Sequence, residues 1–351
     1  MRGPVRSVTD RLLSAAAITI AVLVCAVIVL LFVRRAAYRP EPETGYTMPA
    51  ESGPDGSEIP PPLRQKERYV FLCVGTDRIA GLTDTMMLVS VTSDGAIAVV
   101  QLPRDTYVSY RGEDRKLNSI YASDGITGLR RAVEAGLCVN VDYFAAFGTE
   151  AFRYAVDAVG GVEIDVPGDM DYDDPEQDLS IHIKAGRQVL KGEDAEGFVR
   201  FRSGYARGDL DRMDAQKKFM SSLLKGLIEK TGPSEAARIA SSVLPMISTD
   251  ISAQELLWFV DLVMTKKPSD KPRLTMLTMP GGALYSDELG SSYYVIGREA
   301  ALETVNTWLN DYPVDVTGEI FDPGHMFVRG GDENFERIYY YAILSPETVT
   351  G

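Results

Sequence analysis

Three scarcities narrow the chemistry open to this chain. It holds only two histidines, His182 and His325, which argues against a multi-histidine zinc site and against a Ser-His-Asp triad. It holds three cysteines, Cys25, Cys73 and Cys138, with no visible disulfide framework. Two buried free thiols at Cys73 and Cys138 are therefore expected rather than a bridge between them. Basic residues are also scarce outside the amino terminus. The first 39 residues carry six arginines and one acid, leaving 30 bases against 49 acids over the rest of a chain whose net charge is −14. Such a field offers no basic footprint, so no nucleic acid is expected as partner. P-loop, G-x-S-x-G and H-E-x-x-H motifs are absent as well.

What is present begins with an apolar run. Residues 12–33 carry no charge, and only Ser14 and Thr19 are polar. The run is long enough to span a bilayer as a helix, and no small-residue cleavage site follows it, so an uncleaved anchor is expected. Flanking charge does not orient it: Arg2, Arg6 and Arg11 precede the run, and Arg34, Arg35 and Arg39 follow it. A linker over 34–67 comes next, with prolines at 40, 42, 49, 54, 60, 61 and 62. Its composition suits an extended, flexible segment.

From residue 68 the pattern changes to strands interleaved with helices. Strands are expected over 69–74, 85–91, 97–102, 162–166, 198–202 and 274–279. Helices are expected over 125–135, 151–159, 213–228, 253–264 and 299–309. That alternation predicts an α/β fold in which helices sandwich a mixed central sheet.

Two clusters carry the chemistry. Asp77 follows the carboxyl end of a buried strand, where open α/β sheets place ligands, and Asp84 heads the next strand. The two carboxylates could converge on one hard cation such as magnesium, although taken alone they read rather as turn residues or caps. Arg104 follows in Pro103-Arg104-Asp105. In the second cluster, Arg200 and Arg202 would share one face of the strand over 198–202, about 7 Å apart by strand rise, a spacing that fits the oxygens of a pyrophosphate. Arg212 and Gln216 lie four apart near a helix start, with Asp209 before them, where phosphate is also favoured. The acidic run Asp169, Asp171, Asp173, Asp174, Glu176, Asp178 lacks the glycine and terminal glutamate of a calcium loop, and reads as a solvated loop.

The ordered strings GTDRIAGLTDTMMLVSV, LPRDTYV, KLNSIY, DAVGGVEIDVP, AGRQVLKGEDA, FVRFR and GDLDRMDAQ resemble the LytR-CpsA-Psr family. The resemblance runs from about residue 68 to 228 and extends toward 309. It implies a membrane-anchored phosphotransferase of bacterial cell-envelope assembly, with a catalytic domain over 68–311 outside the cytoplasmic membrane. It thus implies a cytoplasmic tail at 1–11, a single-pass type II anchor at 12–33 and a carboxyl-terminal extension over 312–351 of unassigned role. Such enzymes move a teichoic acid or capsular polysaccharide from a polyprenyl (undecaprenyl) pyrophosphate carrier to peptidoglycan, leaving a phosphodiester. The resemblance assigns a magnesium ion to Asp77 and Asp84, and the pyrophosphate to Arg104, Lys116, Arg200, Arg202, Arg212 and Gln216. Asp209 matches a further acid of the motif. One departure stands out: many members have an arginine where this chain has Leu82, and Arg78 is the only base in that loop that could replace it. Two rivals use the same residues or fewer: a polyprenyl-pyrophosphate phosphatase with water as nucleophile, and a non-catalytic lipid-binding membrane protein.

Overall fold

A computed structural model describes residues 39–40, 51–52, 58–59, 63–76, 83–174, 179–201, 209–268, 272–286, 290–318, 321 and 349–350, of which 51–52, 58–59, 84, 179, 209–213 and 349–350 are described by backbone alone. The strands are β1 Arg68–Thr76, β2 Thr83–Thr92, β3 Ile97–Leu102, β4 Tyr107–Tyr110, β5 Glu113–Lys116, β6 Tyr143–Phe147, β7 Val162–Val166, β8 Met170–Asp174, β9 Leu179–Ile183, β10 Gly186–Leu190, β11 Ile247–Thr249, β12 Leu274–Thr278, β13 Gly281–Ser286 and β14 Ser291–Ile296. The helices are α1 Leu117–Leu137, α2 Thr149–Ala158, α3 Gly192–Arg200, α4 Asp209–Lys230, α5 Pro233–Val243, α6 Ala253–Thr265 and α7 Arg298–Trp308.

The central sheet has seven strands in the order β11-β6-β1-β2-β3-β12, closed at its edge by Val349–Thr350. It is mixed: β1 pairs with β6 in parallel and β3 with β12 in parallel, while β2 runs antiparallel between β1 and β3. β1 is a continuous apolar run because both its faces are covered. Its odd residues Tyr69, Phe71 and Cys73 join a core with Phe152 of α2, Phe198 of α3, Phe219 of α4, Ile239 of α5 and Phe259 of α6. Its even residues Val70, Leu72 and Val74 join a second core with Leu117, Ile120, Leu129 and Val133 of α1 and Val305 of α7. The result is the expected helix–sheet–helix sandwich. Truncating one of the fully buried phenylalanines, such as Phe71 or Phe219, should cost about 3–5 kcal/mol.

Most expected elements form within a few residues. The expected helix at 125–135 is longer, because α1 begins at Leu117 and breaks at Gly125, whose φ of 65° only glycine adopts freely. One expected element does not form: residues 198–201 are not a strand, and Arg202 lies outside the described residues. α3 runs to Arg200, with Glu193 and Asp194 in its first turn and Arg200 in its last, charges that match the helix dipole. The face-sharing of Arg200 and Arg202 along a strand falls with it. The acidic run is not simply a loop either. β8 and β9 pair antiparallel, burying Met170, Ile181 and Ile183 and leaving Asp171 and Asp173 on the outer face. Cys138 is a buried free thiol, as expected, and Cys73 is buried within β1.

The linker is fastened where it meets the domain. Arg64 grips Asp142 at 2.6 and 3.1 Å and reaches Asp311 at 3.1 Å. Asp311 also accepts the backbone N–H groups of Lys66 and Glu67, and Asp142 that of Val70. Further upstream, Arg39 donates to the Tyr69 hydroxyl, which donates to the Pro40 carbonyl. Glu51–Ser52 and Glu58–Ile59 pair antiparallel in between. Among the described residues no helix is long and apolar enough to cross a membrane; residues 12–33 lie outside them.

Candidate active site

Strand register gathers the carboxyl ends of four strands along one edge of the sheet. Gly75 of β1 pairs with Phe147 of β6, Met86 of β2 with Leu102 of β3, and Gln101 of β3 with Thr278 of β12. The chain leaves β1 after Thr76 and re-enters β2 at Thr83, which pairs with Thr76 across an irregularity in the ladder. Asp77, Arg78 and Leu82 lie outside the described residues, and Asp84 is described by its β2 backbone alone. Arg202 also lies outside the described residues, as do the side chains of Asp209 and Arg212 at the start of α4.

Two expected pyrophosphate ligands do come together at this edge. Arg104 and Asp105 follow β3 directly. The β4–β5 hairpin turns through Arg111 and Gly112, both with positive φ, the twist that two-residue hairpins require. Its register returns Lys116 opposite Tyr107. The Asp105 carboxylate then lies 3.2 Å from the Lys116 ammonium and 3.7 Å from Arg104 Nε. Lys116 is also the residue from which α1 starts, so its backbone is fixed by a helix end.

The second expected group is built beneath the first core. Arg200, 9% exposed at the end of α3, donates from Nη1 to Glu196 one turn earlier at 2.8 Å. Glu196 is itself buried and takes a second ion pair from Arg153 Nε. Gln216 donates to the Val199 carbonyl at 2.9 Å, satisfying a helix-end acceptor that has no partner within α3. That bond ties α4 to the end of α3 beside Arg200. Gly197 packs against Ile181 and Ile183, whose side chains stand 3.4–3.5 Å from where a Cβ would sit, an ordinary contact distance.

These groups still have unused hydrogen-bonding capacity. Among the described residues eight buried side-chain polar atoms lack a partner, and half belong to this region: Thr83 Oγ1, Thr85 Oγ1, Arg200 Nε and Gln216 Oε1. Buried polar atoms are ordinarily satisfied, so such a concentration calls for an explanation. Thr85 lies on the face of β2 shared by Met87 and Val89, which pack in the same core as α3 and α4. A buried guanidinium N–H and two threonine hydroxyls are donors suited to an anion. The sequence placed Thr85 and Asp105 within its first cluster but gave them no role, and it did not single out Glu196 or Thr83. Only the i, i+4 spacing of Glu196 and Arg200 could have signalled one of them, had α3 been read as a helix.

Among the described residues no group of three or more His, Cys, Asp or Glu side chains is arranged to hold a metal. The acids of the outer hairpin are otherwise engaged. Asp171 and Asp173 flank His182 at 2.6 and 3.3 Å, and Asp169 pairs with Lys184 at 2.9 Å. Glu176 and Asp178 lie outside the described residues.

The LytR_cpsA_psr family model matches residues 44–310 of this chain. The chain belongs to the LytR-CpsA-Psr family. It is 26% identical over 261 residues to the Bacillus subtilis polyisoprenyl-teichoic acid--peptidoglycan teichoic acid transferase TagV, covering 71% of this chain and 65% of TagV. It is 32% identical over 201 residues to the Corynebacterium glutamicum cell wall biosynthesis protein LcpA, covering 48% of this chain and 38% of LcpA. This family member thus spans less than two thirds of the length of either relative. Its fold is that of the B. subtilis TagV crystal structure, with a TM-score of 0.55 at 21% identity over 68% of this chain and 94% of that one. A TagT structure described as bound to LIIa-WTA gives 0.56 at 19% identity over 71% and 92%.

Proposed function

We propose that this protein transfers a glycopolymer from a polyprenyl-pyrophosphate carrier to peptidoglycan, forming a phosphodiester. The observation that carries this reading is the convergence of Arg104 and Lys116 at the carboxyl edge of the sheet, in a chain that matches the family model over 44–310. TagV's name as a polyisoprenyl-teichoic acid transferase supports the substrate class.

In this reading the pyrophosphate lies between two cationic groups. Arg104 and Lys116 approach it from the sheet edge. Arg200, with its unspent Nε–H, and Gln216 approach it from the helices, joined by Arg78, Arg202 and Arg212. An acceptor sugar hydroxyl forms a bond to the glycan-side phosphorus while the P–O–P bridge breaks, releasing polyprenyl phosphate and the hydroxyl proton. Charge then builds on the departing phosphate, and preorganised cations stabilise it without reorganising. Each charged hydrogen bond contributes about 1.5–3 kcal/mol. Asp77 and Asp84 would hold a magnesium ion. Asp84 enters β2 beside the end of β1, at the carboxyl edge of the sheet, and carboxylate oxygens are the donors that a hard cation takes. Such an ion would share the charge of the transferring phosphate. Asp209 is assigned to the same catalytic group.

The segment 12–33 anchors the chain in the cytoplasmic membrane and places the domain outside. Protease added to intact spheroplasts should digest the domain, whereas full protection would reverse the topology. The decisive assay incubates the full-length protein in detergent with a short-chain polyprenyl-pyrophosphate-linked glycan and a chitooligosaccharide acceptor. A phosphodiester-linked product is expected. Release of glycan phosphate alone would make the protein a phosphatase, and binding with no turnover would make it a lipid-binding protein.

A further inference from the structure

Lys116 is held by a part of the chain that no motif marked. The Tyr293 ring of β14 is 8% exposed, and the Lys116 ammonium lies 5.5 Å from its centroid. Tyr107 braces that ring edge-on at 5.7 Å. The hairpin that delivers Tyr293 is docked on the segment containing Arg104 and Asp105. The Tyr294 N–H donates to the Asp105 carbonyl at 2.8 Å, and Tyr294 bridges to Thr106. The Tyr294 hydroxyl donates to the Met279 carbonyl at 2.7 Å. Approach within the hairpin is close enough to require glycine at 281, where a Cβ would lie 2.2 Å from the Val295 carbonyl oxygen.

A lysine ammonium is a point charge on a flexible stem, and fixing it costs rotamer entropy when a ligand binds. A cation within about 6 Å of an aromatic centroid is attracted by the ring face. The ammonium has three donors, and Asp105 takes only one of them. The ring and the carboxylate together fix the ammonium while leaving donors to spare.

We propose that Tyr293 is a positioning residue for Lys116, presetting its ammonium for a pyrophosphate headgroup. The proposal rests on the pyrophosphate reading of the site given above. It extends the site to the β13–β14 hairpin.

The test measures farnesyl pyrophosphate affinity of the full-length protein in detergent by calorimetry, with melting curves alongside. Tyr293→Phe keeps the ring and should bind within about twofold of wild type, whereas Tyr293→Leu should bind about three- to tenfold more weakly. In a Lys116→Met background, Tyr293→Leu should produce no further loss. Stepwise fluorination of a phenylalanine introduced at 293 weakens the ring face without changing its shape, and affinity should fall with each step. Flat affinity across the fluorinated series would overturn the proposal, as would an equal loss from Tyr293→Leu with and without the Lys116 ammonium. If Lys116→Met itself binds as wild type, the pyrophosphate reading of Lys116 fails, and the proposal fails with it. If Lys116→Met is weakened and the Tyr293 variants are not, only the positioning role falls.

Discussion

Replacing Glu196 by alanine takes one carboxylate away from two guanidiniums. The consequences differ because the two arginines are differently placed. The Arg153 side chain is 41% exposed and would be resolvated by water, whereas that of Arg200 is 8% exposed and would keep its charge in the interior. Surface pairs are worth about 1 kcal/mol or less, while removing one partner of a buried pair costs about 3–5 kcal/mol. The larger figure governs, and it is a sizeable fraction of a domain's whole stability. For a domain of this size each kcal/mol moves the melting temperature by about 2–4 °C, so Glu196→Ala should melt on the order of 10 °C lower. The stronger statement concerns sign: adding Arg200→Met to Glu196→Ala removes the stranded charge and should restore part of the loss. Differential scanning calorimetry of the wild type, both single variants and the double variant reads this directly. A Glu196→Ala shift below about 2 °C, or a double variant no more stable than Glu196→Ala, would refute the reasoning.

Asp77→Ala and Asp84→Ala should each abolish magnesium-dependent transfer while leaving the melting curve close to wild type; full activity after chelation and magnesium return would remove them from the metal site. Arg78→Ala should lower turnover strongly, and Leu82→Arg added to it should recover part, because one guanidinium would stand in for the other; a wild-type rate for Arg78→Ala refutes this. Burial raises the Glu134 carboxyl above its usual range, against the opposing pull of the Val141 N–H and Arg130. Its contribution to stability is therefore full below the ordinary carboxylate pKa and is lost as pH rises through the raised one. Between about pH 4 and pH 7, wild-type stability should thus fall relative to Glu134→Gln in denaturation experiments; a constant difference would show that Glu134 titrates normally.

How much of this was legible depends on how local the cause of each element is. β1, β2 and β3 are buried on both faces, so their apolar runs announce them. α4 shows its buried stripe through Phe219, Met220, Leu223, Leu224 and Leu227. The segment Phe198–Arg202 misleads because alternating apolar residues and arginines imitate a strand's period. The acids at 193 and 194 are a local helix-start signal outweighed by that pattern, and the packing of the segment against Ile181 and Ile183 becomes visible only with the β8–β9 hairpin in place. That hairpin is itself disguised by its acids, because only its inner residues contribute to the core. At the site, Arg104, Lys116, Arg200 and Gln216 were legible as residue types in ordered motifs. Glu196 and Tyr293 were not, because each acts through a partner that the fold brings to it, and no residue type advertises that.

The fastening of the linker has a mechanical consequence. Arg39 and Pro40 meet the Tyr69 hydroxyl, while Arg64, Lys66 and Glu67 are tied to Asp142 and Asp311. Both described ends of the proline-rich stretch therefore start from one pole of the domain, with a short hairpin between them. A segment secured at both ends adds no reach, and lengthening it changes closure entropy by only about 0.6 kcal/mol per doubling. Under the anchoring proposed for residues 12–33, the standing height of the domain would then be set by the few residues between 33 and 39. A glycine-serine insertion within 41–62 would leave the distance from lipid to catalytic edge unchanged, and the same insertion at 34–38 would increase it.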